Sequence, residues 1–177
     1  FDQNIYRLIS PSDIKINYKN IKTNIQPIVS SEGKHATYLW TNEKAKGVIT
    51  DSNVPDWYNP FQRVLISSFD SWQEVSQWGV NLYKVNDHDK HELQKKIDGI
   101  FTDSSSEKFV INAIRFVQDE IRYLGFEGGL NGYKPHSPLM VLNQGFGDCK
   151  DKSLLLCTIL GSRGIDAYPV LVNTTEG

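Results

Sequence analysis

Residues 145 to 152 read Gly-Phe-Gly-Asp-Cys-Lys-Asp-Lys, and a leucine-rich run follows at once. Free cysteine is among the most buried residue types, and Cys157, between Leu156 and Thr158, fits that habit. Cys149 does not, because its neighbours are Gly147, Asp148, Lys150 and Asp151. A thiol in the first turn of a helix meets unpaired backbone N–H groups and the positive end of the helix dipole, and both stabilise a thiolate. The same N–H groups can hold the oxyanion that forms when a thiolate attacks an amide carbonyl. Gly147 permits a sharp turn into such a helix, Asp148 can cap it, and Lys150 and Lys152 add positive charge. Asp148 and Asp151 act against the thiolate. The chemistry these residues can support is nucleophilic acyl transfer.

Other candidates carry less. His136 precedes the cysteine in "YKPHSP", and a general base must reach hydrogen-bond distance of the thiol. Nothing in the chain order brings it there, so it reads as an exposed loop histidine. Tyr133 and Gln144, also upstream, are side chains able to donate to an oxyanion. In "NDHDKHE" His88 and Glu92 are spaced to share a metal on one helix face, but the density of charge reads as a solvated helix start. No metal and no cofactor is expected. "NTT" at 173 to 175 fits a glycosylation acceptor and reads as the end of a strand. The two cysteines, eight residues apart on one helix, lie roughly 12 Å apart, beyond the about 7 Å that a disulfide spans between Cα atoms.

The elements that must hold these residues follow from periodicity. Residues 1–70 carry β-rich runs, "DIKINYKN", "HATYLW" and "RVLISSF", parted by turn material such as "SSEGK". From Ser71 a capped helix places Trp72, Val75, Trp78 or Gly79 and Leu82 near one face. "DKHELQKKIDGIF" is charged and reads as a mobile connecting helix. Between Ser105 and Leu124, Val110, Ala113, Ile114, Val117, Ile121 and Leu124 recur at helical spacing. "GFEGGLNGYKPHSP" then predicts an ordered loop as far as Gln144. Leu154, Leu155, Leu156, Ile159 and Leu160 predict a helix buried on nearly all sides and ended by Gly161 or Gly164, and "IDAYPVLVNT" a strand.

Composition limits the partners. The net charge is −2, from 19 basic and 21 acidic residues spread along the chain, so no basic stripe points to nucleic acid. No apolar run approaches the ~20 residues of a membrane span. The chain opens on Phe1 with no signal-peptide pattern, and it is expected to be a piece of a longer protein.

The segment "GFGDCKDKSLLLCTILGSRGIDAYPVLVNT" resembles the signature of the transglutaminase-like superfamily. The upstream "IRYLGFEGGLNGYKPHSPLMVLNQ" is similar to the form found in bacterial proteins whose core follows an N-terminal β domain. The resemblance covers roughly residues 105–177 and is specific at 147–153; "YLWTNEKA" and "SWQEVSQW" are similar, less specifically, to the end of that β domain. It implies an α+β chain in three parts: the end of a β-sandwich-like domain over 1–70, a helical connector over 71–104, and the first half of a papain-like core over 105–177. It further implies Cys149 as nucleophile, a protein or peptide substrate and an extracytoplasmic setting. The family uses Cys, His and Asp in that order, whereas His35, His88, His91 and His136 all precede Cys149. The histidine and aspartate are therefore expected beyond Gly177, and this stretch alone is expected to be inactive. The alternative is an interaction module that keeps the fold without the chemistry.

Overall fold

The computed structural model describes residues 3–172 apart from 44–46, 50–52, 56, 103–104 and 126–127. It is an α+β structure in two compact units, residues 1–76 with 172–177, and residues 77–171.

The first unit is built on strands β1 (Gln3–Pro11), β2 (Asn17–Ile21), β3 (Ile28–Glu32), β4 (His35–Glu43) and β5 (Arg63–Ser67). β4 lies between β1 and β3 in an antiparallel sheet, and β2 pairs with β5 in another. β3 and β4 join through a tight turn at Gly33, whose φ of +57° is one that glycine adopts without strain. Trp40 of β4 is buried and ties the two sheets, packing on Tyr6 and Tyr38 of its own sheet and edge-on to Tyr18 of the other at 5.8 Å. An open cleft of about 560 Å³ runs alongside, lined from both sheets by Ile5, Tyr6, Trp40, Val64 and Ile66 among others.

Helix α1 (Trp72–Leu82) starts at Ser71, whose hydroxyl accepts the Glu74 N–H. Val75, Trp78, Gly79 and Leu82 are half-buried along it, whereas Trp72 is exposed.

The second unit is helical. Helix α2 (Asp87–Ile100) is capped by Asn86, which accepts the Asp89 N–H at 2.7 Å. Its polarity predicts a mobile connector, yet Leu93 and Ile97 are each 1% exposed and belong to the core with Phe101, Phe109, Ala113, Val117, Ile121, Val141, Leu155 and Ile159. Two apolar residues a turn apart suffice to anchor a charged helix, since each fully buried aliphatic side chain contributes about 1.5–3 kcal/mol.

Helix α3 (Ser106–Asp119), capped by Ser105, turns Phe109, Ala113 and Val117 inward. It stops before Leu124, which is half exposed. The chain then forms a two-residue strand, β6 (Arg122–Tyr123). The stretch read as loop to Gln144 contains a further helix, α4 (Pro138–Gln144), with Ser137 as cap, proline in its first turn and Gly145 at φ +72° closing it. Next, β7 (Phe146–Gly147) pairs in parallel with β6 and runs directly into helix α5 (Cys149–Gly161).

Helix α5 buries Leu154, Leu155, Ile159 and Leu160 but keeps an open strip along Cys149 and Ser153. Cys157, four residues further along that strip, is half-buried rather than enclosed. Beyond it, the expected strand does not form over 165–172. Tyr168, Val170, Leu171 and Val172 stand exposed with no ladder partner among the described residues, and an extended segment without a neighbouring strand has no backbone pairing to fix it. Residues 173–175, the "NTT" acceptor pattern, lie outside the described residues. No helix of the described residues is long and apolar enough to cross a membrane.

Candidate functional site

Cys149 occupies the first position of α5, exposed, at the junction of β7 and the helix. The local sequence explains the junction. β7 delivers extended backbone, Asp148 takes up an extended cap conformation (φ −90°, ψ −170°), and its Oδ1 accepts the N–H groups of Lys150 and Asp151 at 3.1 and 3.3 Å. Asp151 answers with Oδ2, which accepts the Asp148 N–H at 3.1 Å, completing a capping box.

Gly147 is required here for space. A Cβ at 147 would fall 2.7 Å from Asp151 Cβ and 3.2 Å from Val141 Cγ1. The sequence gives this glycine a turning role; in the structure its φ is not in the left-handed region, and the demand is close approach between β7, α4 and α5.

Behind the exposed thiol lies a buried ionic cluster. Asp148, Lys150 and Asp151 are all buried, and the Lys150 ammonium donates to Asp148 Oδ2. Burial by itself would lower the Lys150 ammonium, but the Asp148 carboxylate bonded to it, with Asp151 and Cys149 nearby, holds it above its ordinary value. Tyr83, at the end of α1, is raised chiefly by burial; Lys150 pulls it down and Cys149, Asp148 and Asp151 push it up. The Cys157 thiol is also raised by burial.

His136 is half-buried, not an exposed loop residue. Its backbone N–H donates to Asp151 Oδ1 at 2.7 Å, and its Nδ1 lies 3.2 Å from Asp151 Oδ2. A loop path sets this contact and no local pattern encodes it, although Asp-x-x-Asp at 148–151 is a legible capping-box spacing.

The remaining candidates are engaged elsewhere. Lys150 is committed to Asp148, and Lys152 donates to the carbonyls of Ile121 and Gln118. Gln144 Nε2 donates to Phe146 O at 2.8 Å, and Tyr133 packs edge-on to Trp78 at 5.5 Å. In α2, Glu92 pairs with Lys95 at 2.8 Å and His91 at 3.4 Å on an exposed face. Among the described residues no histidine is hydrogen-bonded to the Cys149 thiol.

The site thus offers a solvent-facing thiol at the head of a helix whose first turn is fixed by buried hydrogen bonds. No protein-family model matches the chain, and no curated protein matches it. A crystal structure from Parabacteroides distasonis, of a protein provisionally described as a protease, superposes with a TM-score of 0.75 over 93% of this chain at 11% identity. The chain spans 32% of that protein's length. At that identity the likeness is one of fold.

Proposed function

We propose that the protein is part of a thiol-dependent enzyme of transglutaminase-like type, transferring or hydrolysing acyl groups of a protein or peptide substrate. The observation that carries this is the position of Cys149: exposed, first in α5, and backed by a capped, buried helix start. Likeness to the fold of a provisionally described protease supports the reading. In the proposed reaction Cys149 Sγ attacks the amide carbonyl carbon and a C–S bond forms. The oxyanion lies against the backbone N–H of Cys149, since those of Lys150 and Asp151 are held by Asp148. It collapses, the C–N bond breaks, and the amine leaves with the proton that came from the thiol. Water or a second amine then attacks the thioester, the C–S bond breaks, and the thiol regains a proton. His136, held by Asp151, is not the base in this scheme, and the resemblance places that residue later in the chain.

A non-catalytic module that keeps the fold without the chemistry is the second reading. Turnover decides between them. The full-length protein is incubated with casein and with a fluorescent amine, beside Cys149→Ala, and the acylated peptide is sought by mass spectrometry. Release of peptides or incorporation of amine that disappears in Cys149→Ala is expected. Activity unaffected by that substitution, or none in the parent, rejects the enzyme reading.

A further inference from the structure

Capping a helix requires one acid, yet two are buried at the head of α5. Asp148 serves the helix: its carboxylate takes the Lys150 and Asp151 N–H groups and the Lys150 ammonium. Asp151, 2% exposed, divides its oxygens otherwise. Oδ2 accepts the Asp148 N–H and faces His136 Nδ1, while Oδ1 is given to the His136 backbone N–H, fifteen residues earlier. A residue that only closed the capping box would leave Oδ1 without that second task. The carboxylate that fixes the residue before Cys149 therefore also pins, at two points, the segment leading into α4.

We infer that Asp151 is a positioning residue which holds His136, and with it the segment leading into α4, as a wall against the first turn of α5 that carries Cys149, and so governs how a peptide-like acyl group reaches the thiol. The inference rests on the proposed thiol chemistry, but its test does not require turnover.

The test uses the full-length protein and Asp151→Asn, which keeps the shape of the side chain but replaces one acceptor oxygen by a donor. Two quantities are read: exchange of the His136 amide, and the rate of Cys149 labelling by a peptidyl chloromethyl ketone divided by that for iodoacetamide. A change in thiolate population alters both reagents alike, so the ratio isolates fit around the thiol. Cys157, half-buried on the same helix, reports general loosening. The His136 amide is expected to exchange faster and the ratio to fall about ten-fold, the size of one hydrogen bond to a carboxylate, with Cys157 labelling unchanged. His136→Ala retains the backbone bond and is expected to lower the ratio less.

An unchanged ratio with a loosened His136 amide overturns the inference, and so does a fall matched by faster Cys157 labelling. If Asp151→Asn does not fold, His136→Ala decides by the same ratio, and no change overturns the inference. Absent turnover with a ratio that still depends on Asp151 rejects the proposed function alone; normal turnover with an insensitive ratio rejects the wall alone.

Discussion

The ammonium of Lys152 donates to the backbone carbonyl of Ile121 at 2.6 Å and to that of Gln118 at 3.4 Å. A side chain from the first turn of α5 thus closes the end of α3, where helix carbonyls lack partners of their own. Lys152→Met keeps most of the stem and removes the donor. The expected loss is about 1–2 kcal/mol, read as a lower urea midpoint at unchanged slope. An unchanged midpoint would show that water replaces the ammonium at no cost.

The Asp148–Lys150 pair makes a sharper demand. Removing one member of a buried ion pair leaves an uncompensated charge and costs about 3–5 kcal/mol, whereas replacing both with apolar residues is often close to neutral. Asp148→Ala also loses the cap, so it should be among the most destabilising single changes in the second unit. Asp148→Ala with Lys150→Met should recover a large part of the loss. Additive effects in a double-mutant cycle would contradict the pairing.

The two thiols should separate in solution. Cys149 is exposed at a helix head, while Cys157 is half-buried with its thiol raised by burial. Near neutral pH iodoacetamide should label Cys149 first, as read by peptide mass spectrometry. Cys157→Ser should be the costlier of the two serine substitutions, by about 1 kcal/mol, because only its hydroxyl meets apolar surroundings. Faster labelling of Cys157 would refute the assigned exposures.

Alkaline pH should weaken the second unit. Lys150, Tyr83 and Cys157 are all raised in the folded state, Lys150 by its Asp148 partner against the opposing effect of burial, the other two by burial. A group raised on folding holds its proton more tightly in the native state. Its stabilisation is complete below the unfolded pKa and is lost as pH rises through the folded one. The unfolding midpoint should therefore decline from about pH 9 upward, beyond the ordinary thiol, phenol and ammonium values. A midpoint that is flat or rising between about pH 9 and 11 would contradict these directions.

What could be read in the sequence was local. Ser71, Ser105 and Asp148 each cap the helix they announce, because a cap depends on residues within one turn. Apolar spacing likewise located α3 and α5. β1 and β3 carry no clear sequence signal because they flank β4 and leave Ile5, Ile9, Ile28 and Val29 exposed, so their apolar residues mark no clear inner face. α4 had its signals in Ser137, Pro138 and Gly145, but a run of glycines and prolines ahead of it masked them. The polarity of α2 hid the two positions that anchor it. The bond between Asp151 and His136 was beyond any local rule, since it depends on how a loop folds back over fifteen residues.

The close approach at Gly147 has a consequence for how this region would look under selection. Any side chain at 147 must displace the Cβ of Asp151, whereas Cys149 faces solvent and could become serine or alanine with the fold intact. A mutational scan scored on abundance alone would mark the glycine as intolerant and pass over the cysteine two positions later. Scored on reactivity, the same scan would mark both. The difference between the two maps at 149 would separate a residue kept for chemistry from one kept for room.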